Sequence, residues 1–148
     1  MTTNASKMLQ MGRTRLTNML PNITEKDLTK KLHPQSNSIG FLLRHIAEVE
    51  HLFAKNVFQT DVKITTQTIG KDIHDTGRHT DLKTLTELLD NGYKVLLQAV
   101  LAVPDNGWSE NVTTAEFGTV TKAEALSRIM THTAYHAGQI GLILKYGA

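Results

Sequence analysis

The chain contains no cysteine. No disulfide can staple the fold, no thiolate can serve as nucleophile or metal ligand, and any metal site must be built from nitrogen and oxygen. The same absence leaves the redox compartment unread. Long apolar runs are missing too: VLLQAVLAV is broken by Gln98 and closed by Pro104, well short of the roughly 18 residues a membrane span needs. The N-terminal MTTNASKMLQMGRTRL mixes polar and basic residues with apolar ones and lacks the continuous apolar segment of a signal peptide. These absences predict a soluble, cytoplasmic protein. Neither sign of charge dominates, since 16 basic against 14 acidic side chains leave a formal net charge of +2 spread along the chain. The densest basic patch, KDLTKK at residues 26–31, has no aromatic neighbour for base stacking and reads as a solvated face. No nucleic-acid partner is expected. G-x-S-x-G, P-loop and G-x-G-x-x-G motifs are missing as well, which leaves serine-nucleophile and nucleotide chemistry unsupported.

What is present is helical periodicity. At 148 residues and 40% hydrophobic content the chain is expected to form one domain, residues 1–148, with a core that needs no covalent help. Met8, Met11, Leu16 and Met19 suit the apolar face of a first helix over residues 5–19, ended by Pro21. Thr24, ahead of two acidic residues, starts a short helical turn. Ser36 or Ser38 then caps a second helix, in which Leu42, Ile46, Val49, Phe53 and Val57 form a core stripe. Arg44, Glu48, His51 and Lys55 follow the same period on the opposite, wet side. Residues 60–80 are polar, carry Gly70 and Gly77, and read as a long crossover loop. Thr80 is the expected cap of a third helix, marked by Leu82, Leu85, Leu89, Tyr93 and Leu96 and ending before Pro104, with Gly92 weakening it slightly. A hairpin-like excursion follows, with Asn106-Gly107 as a turn signal. Thr121-Lys-Ala-Glu124 is a capping box that opens a fourth helix, whose stripe runs Leu126, Ile129, Thr133, His136, Ala137, Ile140 and Leu144. Four amphipathic helices with a long second connection predict an all-α four-helix bundle.

The histidines are the candidate functional residues. His132 and His136 lie about 40° apart around the fourth helix on adjacent turns, and both are expected to point toward the bundle axis. His45 sits between Leu42 and Val49 on the apolar face of the second helix. Three imidazoles converging from two helices can reach one ion at roughly 2.0–2.1 Å. They would leave a coordination position open, as catalytic sites do. A single histidine in an apolar stripe is more often a core residue satisfied by one hydrogen bond, and H-x-x-x-H alone is a weak signal, so spacing leaves both readings open. His33, His74 and His79 read as surface residues. Glu48-Val-Glu-His51 matches the E-x-x-H of di-metal bundles, but the fourth helix offers no second copy and no further inward Glu.

SIGFLLRHIAEVEHLF, followed near the C-terminus by HTAYHAGQIGLIL, resembles the DinB-like superfamily over nearly the whole chain. The resemblance implies a DinB/YfiT-like bundle in which His45, His132 and His136 hold a divalent metal ion, zinc or nickel being the usual suggestions. Ala137 stands where many members carry Arg. For some members it implies transfer chemistry on a small electrophile with a low-molecular-weight thiol; a metal-dependent hydrolase and a non-catalytic, metal- or ligand-binding stress protein are the alternatives. Arg44, Arg128 and Arg78 are candidates for holding a charged thiol, and Glu48, the nearest carboxylate in sequence, is the candidate base for hydrolysis. Four-helix domains of this type often pair through a flat helical face, so a homodimer is expected. Gly138 and Gly141 are expected to admit a neighbour's close approach.

Overall fold

The computed structural model describes residues 1–148. Its elements are α1 (Thr2–Met19), α2 (Ile39–Asn56), α3 (Leu82–Ala102), strands β1 (Asn111–Thr114) and β2 (Gly118–Thr121), and α4 (Lys122–Tyr146). The fold class expected from sequence is the one observed, with a two-stranded antiparallel hairpin as the only sheet. The hairpin turn falls at residues 115–117, whereas Asn106-Gly107 lies in a 3-10 turn, Asp105–Ser109, that precedes it.

The helix starts follow from local chemistry. Ser38 accepts a hydrogen bond from the Phe41 amide at the head of α2, and Thr121 and Glu124 close the expected capping box at the head of α4. For α3 the cap is Asp81, not Thr80: its carboxylate accepts from both the amide and the hydroxyl of Thr84. Thr24 and Asp27 close another box around a single 3-10 turn.

Packing fixes the topology. Leu43 of α2 shares a core cluster with Leu85 and Leu89 of α3, while Phe53 shares the other cluster with Leu96 and Ala99. Helices α2 and α3 therefore run parallel. The chain must return the length of the bundle between them, about 27 Å for an 18-residue helix, and residues 57–81 make that return without regular structure. By the same test α1 and α4 run parallel to each other and antiparallel to the first pair. The two clusters meet at a polar belt, in which Arg13 of α1 pairs with Glu50 of α2 and donates to the Leu89 carbonyl, both side chains being buried.

Two sequence expectations are corrected here. On α1, Met8 and Met11 are exposed, and Ala5, Leu9 and Leu16 fill the core together with Arg13. On α2, of the expected wet face only Lys55 is exposed; Glu48 and His51 are fully buried and Arg44 is half-buried. The crossover segment covers Glu48 and α3 covers His51, two partners that helical periodicity alone cannot place. His51 donates from Nδ1 to the Ala47 carbonyl at 2.7 Å and accepts from Asn91 at 3.1 Å. Gly92 is the cause of that contact: a Cβ there would lie 2.8 Å from His51 Nδ1 and 3.0 Å from the Ala47 carbonyl oxygen. Gly40 plays the same part for the crossover, where a Cβ would meet the His79 carbonyl at 1.9 Å.

Candidate metal centre

His45 of α2 and His132 and His136 of α4 come together at the α2–α4 seam. One ring nitrogen from each lies within 4.8 Å of the others, with ring centroids 5.1, 5.0 and 4.4 Å apart. The site is on the flank of the bundle. The axis itself is filled by Ile129, Thr133, Ala137 and Ile140, and each of His132 and His136 sits one residue before an axial position, turned by about 100° toward α2 and the crossover. The expectation that both point at the axis is corrected accordingly, and the histidines are half-buried.

Hydrogen bonds to the outer nitrogens orient two of the rings. Glu48, wholly buried, pairs with Arg44 at 2.7 Å and accepts from the Gln67 and Thr68 amides at 2.8 and 2.9 Å and from the Thr68 hydroxyl at 2.6 Å. The Thr68 hydroxyl spends its one proton on Glu48, so at 3.2 Å from His45 Nδ1 it acts as acceptor. Nδ1 of His45 thus carries the proton and Nε2 is left bare. His136 donates from Nδ1 to Gln139 Oε1 at 2.6 Å, and the Gln139 amide nitrogen donates to the Tyr135 hydroxyl at 3.2 Å. Nδ1 of His132 is buried without a partner.

The donor set suits a divalent ion. Nε2 of His132 stands 3.1 Å from the bare Nε2 of His45, close to the separation of about 3.3 Å between two ligands of a tetrahedral ion bound at 2.0–2.1 Å. His132 meets that lone pair either by donating a proton or by sharing a cation with it. Protons do not compete strongly for the site: burial pushes all three imidazoles below the ordinary value, His132 down to about 3, with the neighbouring rings adding to the effect at His45 and His132. Neutral imidazoles with outer nitrogens held by a carboxylate relay and an amide are the ordinary form of metal-ligating histidines.

The other sequence candidates fall outside the cluster. His33 and His74 are exposed, and His79 is half-buried edge-on to Phe41. Glu48 points inward, against expectation, and its oxygens are occupied by Arg44, Gln67 and Thr68. Arg78 bonds the Gln67 carbonyl, whereas Arg128 lies 4.9 Å over the Phe117 ring in a recess that includes His132. Around Gly138 there is open space, and at Gly141 only an ordinary contact with Met19. Thr68 and Gln139 were not singled out by sequence reasoning. Gln139 had a signal, being three residues past His136 on one helix face; Thr68, in an irregular segment, had none.

Fold and site together define a class: a four-helix-bundle protein with a candidate three-histidine metal centre on its flank. The chain belongs to the mycothiol-S-transferase family, whose sequence model matches residues 5–143. No curated protein matches it. Among solved structures it is similar to the crystal structure of a conserved protein from Enterococcus faecalis, at 16% identity, with a TM-score of 0.70 and 98% of each chain covered. That likeness concerns the fold alone.

Proposed function

We propose that this chain is a single-domain, cytoplasmic, metal-dependent thiol S-transferase of the DinB-like superfamily, joining mycothiol to a small electrophile. The observation that carries this reading is the convergence of His45, His132 and His136, with the outer nitrogens of His45 and His136 held by Thr68 and Gln139. Family membership supplies the thiol. In this reading the three histidines would hold one divalent ion, zinc or nickel. Such an ion would supply Lewis acidity that makes a thiol beside it easier to ionise near neutral pH.

The chain's own residues do the rest. Burial and the relays from Glu48 and Gln139 keep the imidazole lone pairs aimed at one point. Val49, Phe53 and Phe117 wall the seam beside His132. In the transfer the sulfur forms a bond to an electrophilic carbon, the thiol proton passes to solvent, and the leaving group departs with its electron pair. Glu48, bound on both oxygens, is not free to act as the base a hydrolase requires. No helix is long and apolar enough to cross a membrane. Met8 and Met11, 50% and 75% exposed along the outside of α1, offer an apolar face for a homodimer.

Monochlorobimane, which fluoresces when its chlorine is displaced by sulfur, tests the reaction. Zinc- or nickel-loaded protein is expected to accelerate its conjugation to mycothiol, and the His132→Ala, His136→Ala variant is not. A rate equal to the uncatalysed one with every metal and thiol supplied rejects the proposal.

A further inference from the structure

Two cavities meet at His132 and share Val49, Phe53, Glu116 and Phe117 on their common wall. The first, of about 240 Å³, reaches His45 and His132 past Val49, Leu52, Phe53, Val57 and Ile69. The second, an open recess of about 320 Å³, adds Arg128, Thr131 and Tyr135. Phe117, from the hairpin turn, stacks on Phe53 with ring centroids 5.9 Å apart on one side and lies beneath the Arg128 guanidinium on the other. Glu116, exposed on the same turn, borders both and is the only charged side chain on the wall of the first.

The two compartments differ in what they can hold. Away from its His45–His132 end, a ligand charge entering the first would lose water against Val49, Leu52, Phe53, Val57 and Ile69 and meet no cation, only the polar side chains of Asn56 and Thr114 and the carboxylate of Glu116, so it is disfavoured there. An apolar ring gains there by burial. A cavity of about 150 Å³ lined by Leu, Ile and Phe accepts benzene, so the volume here admits a substituted single ring. In the second compartment Arg128 forms no ion pair, unlike Arg44, which Glu48 neutralises. Together with the Tyr135 hydroxyl, and with the Thr131 hydroxyl oxygen as an acceptor since its proton goes to the helix backbone, it presents a cation and hydrogen-bonding groups to a polar ligand.

We infer that the site takes two ligands at once, one on each side of Phe117: an uncharged, compact, largely apolar electrophile against Leu52, Val57 and Ile69, and the polar body of the thiol against Arg128, Thr131 and Tyr135. This rests on the S-transferase reading and names its substrate class. His132 borders both compartments, so the reacting sulfur and carbon meet at the metal centre while the rest of each molecule stays on its own side. Phe117 acts as a specificity-determining partition, and the hairpin exists in part to deliver it.

Calorimetric titration of the full chain with 1,3-dinitrobenzene, an uncharged ring without a leaving group suited to attack, tests the first compartment. Titration of the zinc-loaded chain with mycothiol tests the second. Leu52→Trp, which fills the apolar side, is expected to weaken dinitrobenzene binding by about tenfold or more and to leave mycothiol within about twofold. Arg128→Gln is expected to do the reverse. Ile69→Trp, on the crossover instead of a helix, repeats the first arm should Leu52→Trp fail to fold. Equal losses of both ligands in each variant, or dinitrobenzene binding that neither tryptophan disturbs, overturn the division. The dinitrobenzene arm is also run on the metal-free chain. Failure to load zinc or bind mycothiol then rejects the proposed function, while the apolar compartment is decided separately.

Discussion

His45, His132 and His136 differ in what holds the nitrogen turned away from the cluster. For His45 it is the hydroxyl of Thr68, itself fixed by the wholly buried Glu48. A hydroxyl that has given its proton to a carboxylate can only accept, so Thr68 sets the tautomer of His45 as well as its angle. Thr68→Val keeps the shape and removes the acceptor. It is expected to weaken zinc affinity by about 10–100-fold, measured by competition with a chromophoric chelator, and Thr68→Ser is expected to restore it. Affinity unchanged in the valine variant would show that the relay does not act on His45. At this scale the sequence was only partly legible. His45, His132 and His136 could be picked out because two lie one turn apart on a helix and the third falls in an apolar stripe. Glu48 was placed on the wrong side because its cover comes from residues 67–68, distant in sequence, and such a contact leaves no periodic trace.

Among the helices, glycine positions separate close packing from open space. Gly92 of α3 lets the helix approach α2 closely enough for Asn91 to meet His51, and an added Cβ would fall 2.8 Å from the ring. Gly138 of α4 has nothing within 4 Å of the same hypothetical atom. Gly92→Ala is therefore expected to destabilise the protein by about 1–3 kcal/mol through overpacking. Gly138→Ala is expected to stabilise it by up to about 1 kcal/mol through helix propensity. Urea unfolding of the two variants beside the parent checks both signs, and a destabilising Gly138→Ala would show a neighbour the packing does not contain. Helix existence and starts were legible because caps are local: Ser38 and the Thr121–Glu124 box act within one turn. The identity of the α3 cap was missed by one residue, since Thr80 and Asp81 are both good caps and the geometry favours the carboxylate. The parallel course of α2 and α3 was not written in either helix; the length of the segment between them was its only sign.

For the molecule as a whole, buried titratable groups act on stability in two opposed pH windows. Burial lowers the three histidines, His132 to about 3, so the unfolded chain binds their protons first as pH falls. Their contribution is full above about 6.5 and is lost as pH falls toward the folded values. Glu50 runs the other way: burial pushes it up to about 7 against the lowering effect of Arg13, so its contribution is full below the ordinary 4.5 and is lost as pH rises through 7. The metal-free parent is thus expected to lose stability between about pH 6.5 and 4 more steeply than His132→Ala, His136→Ala, as followed by urea midpoints. Parallel curves would mean that the imidazoles are not buried as neutral groups. A bound ion changes this balance, because it occupies the same lone pairs as the protons. Metal content measures directly whether such an ion belongs there. Untagged protein purified without chelator is to be analysed by plasma mass spectrometry beside the His132→Ala, His136→Ala variant. Close to one zinc or nickel ion per parent chain, lost in the variant, is expected; no metal in either, even after reloading with both ions, would contradict a three-histidine metal centre.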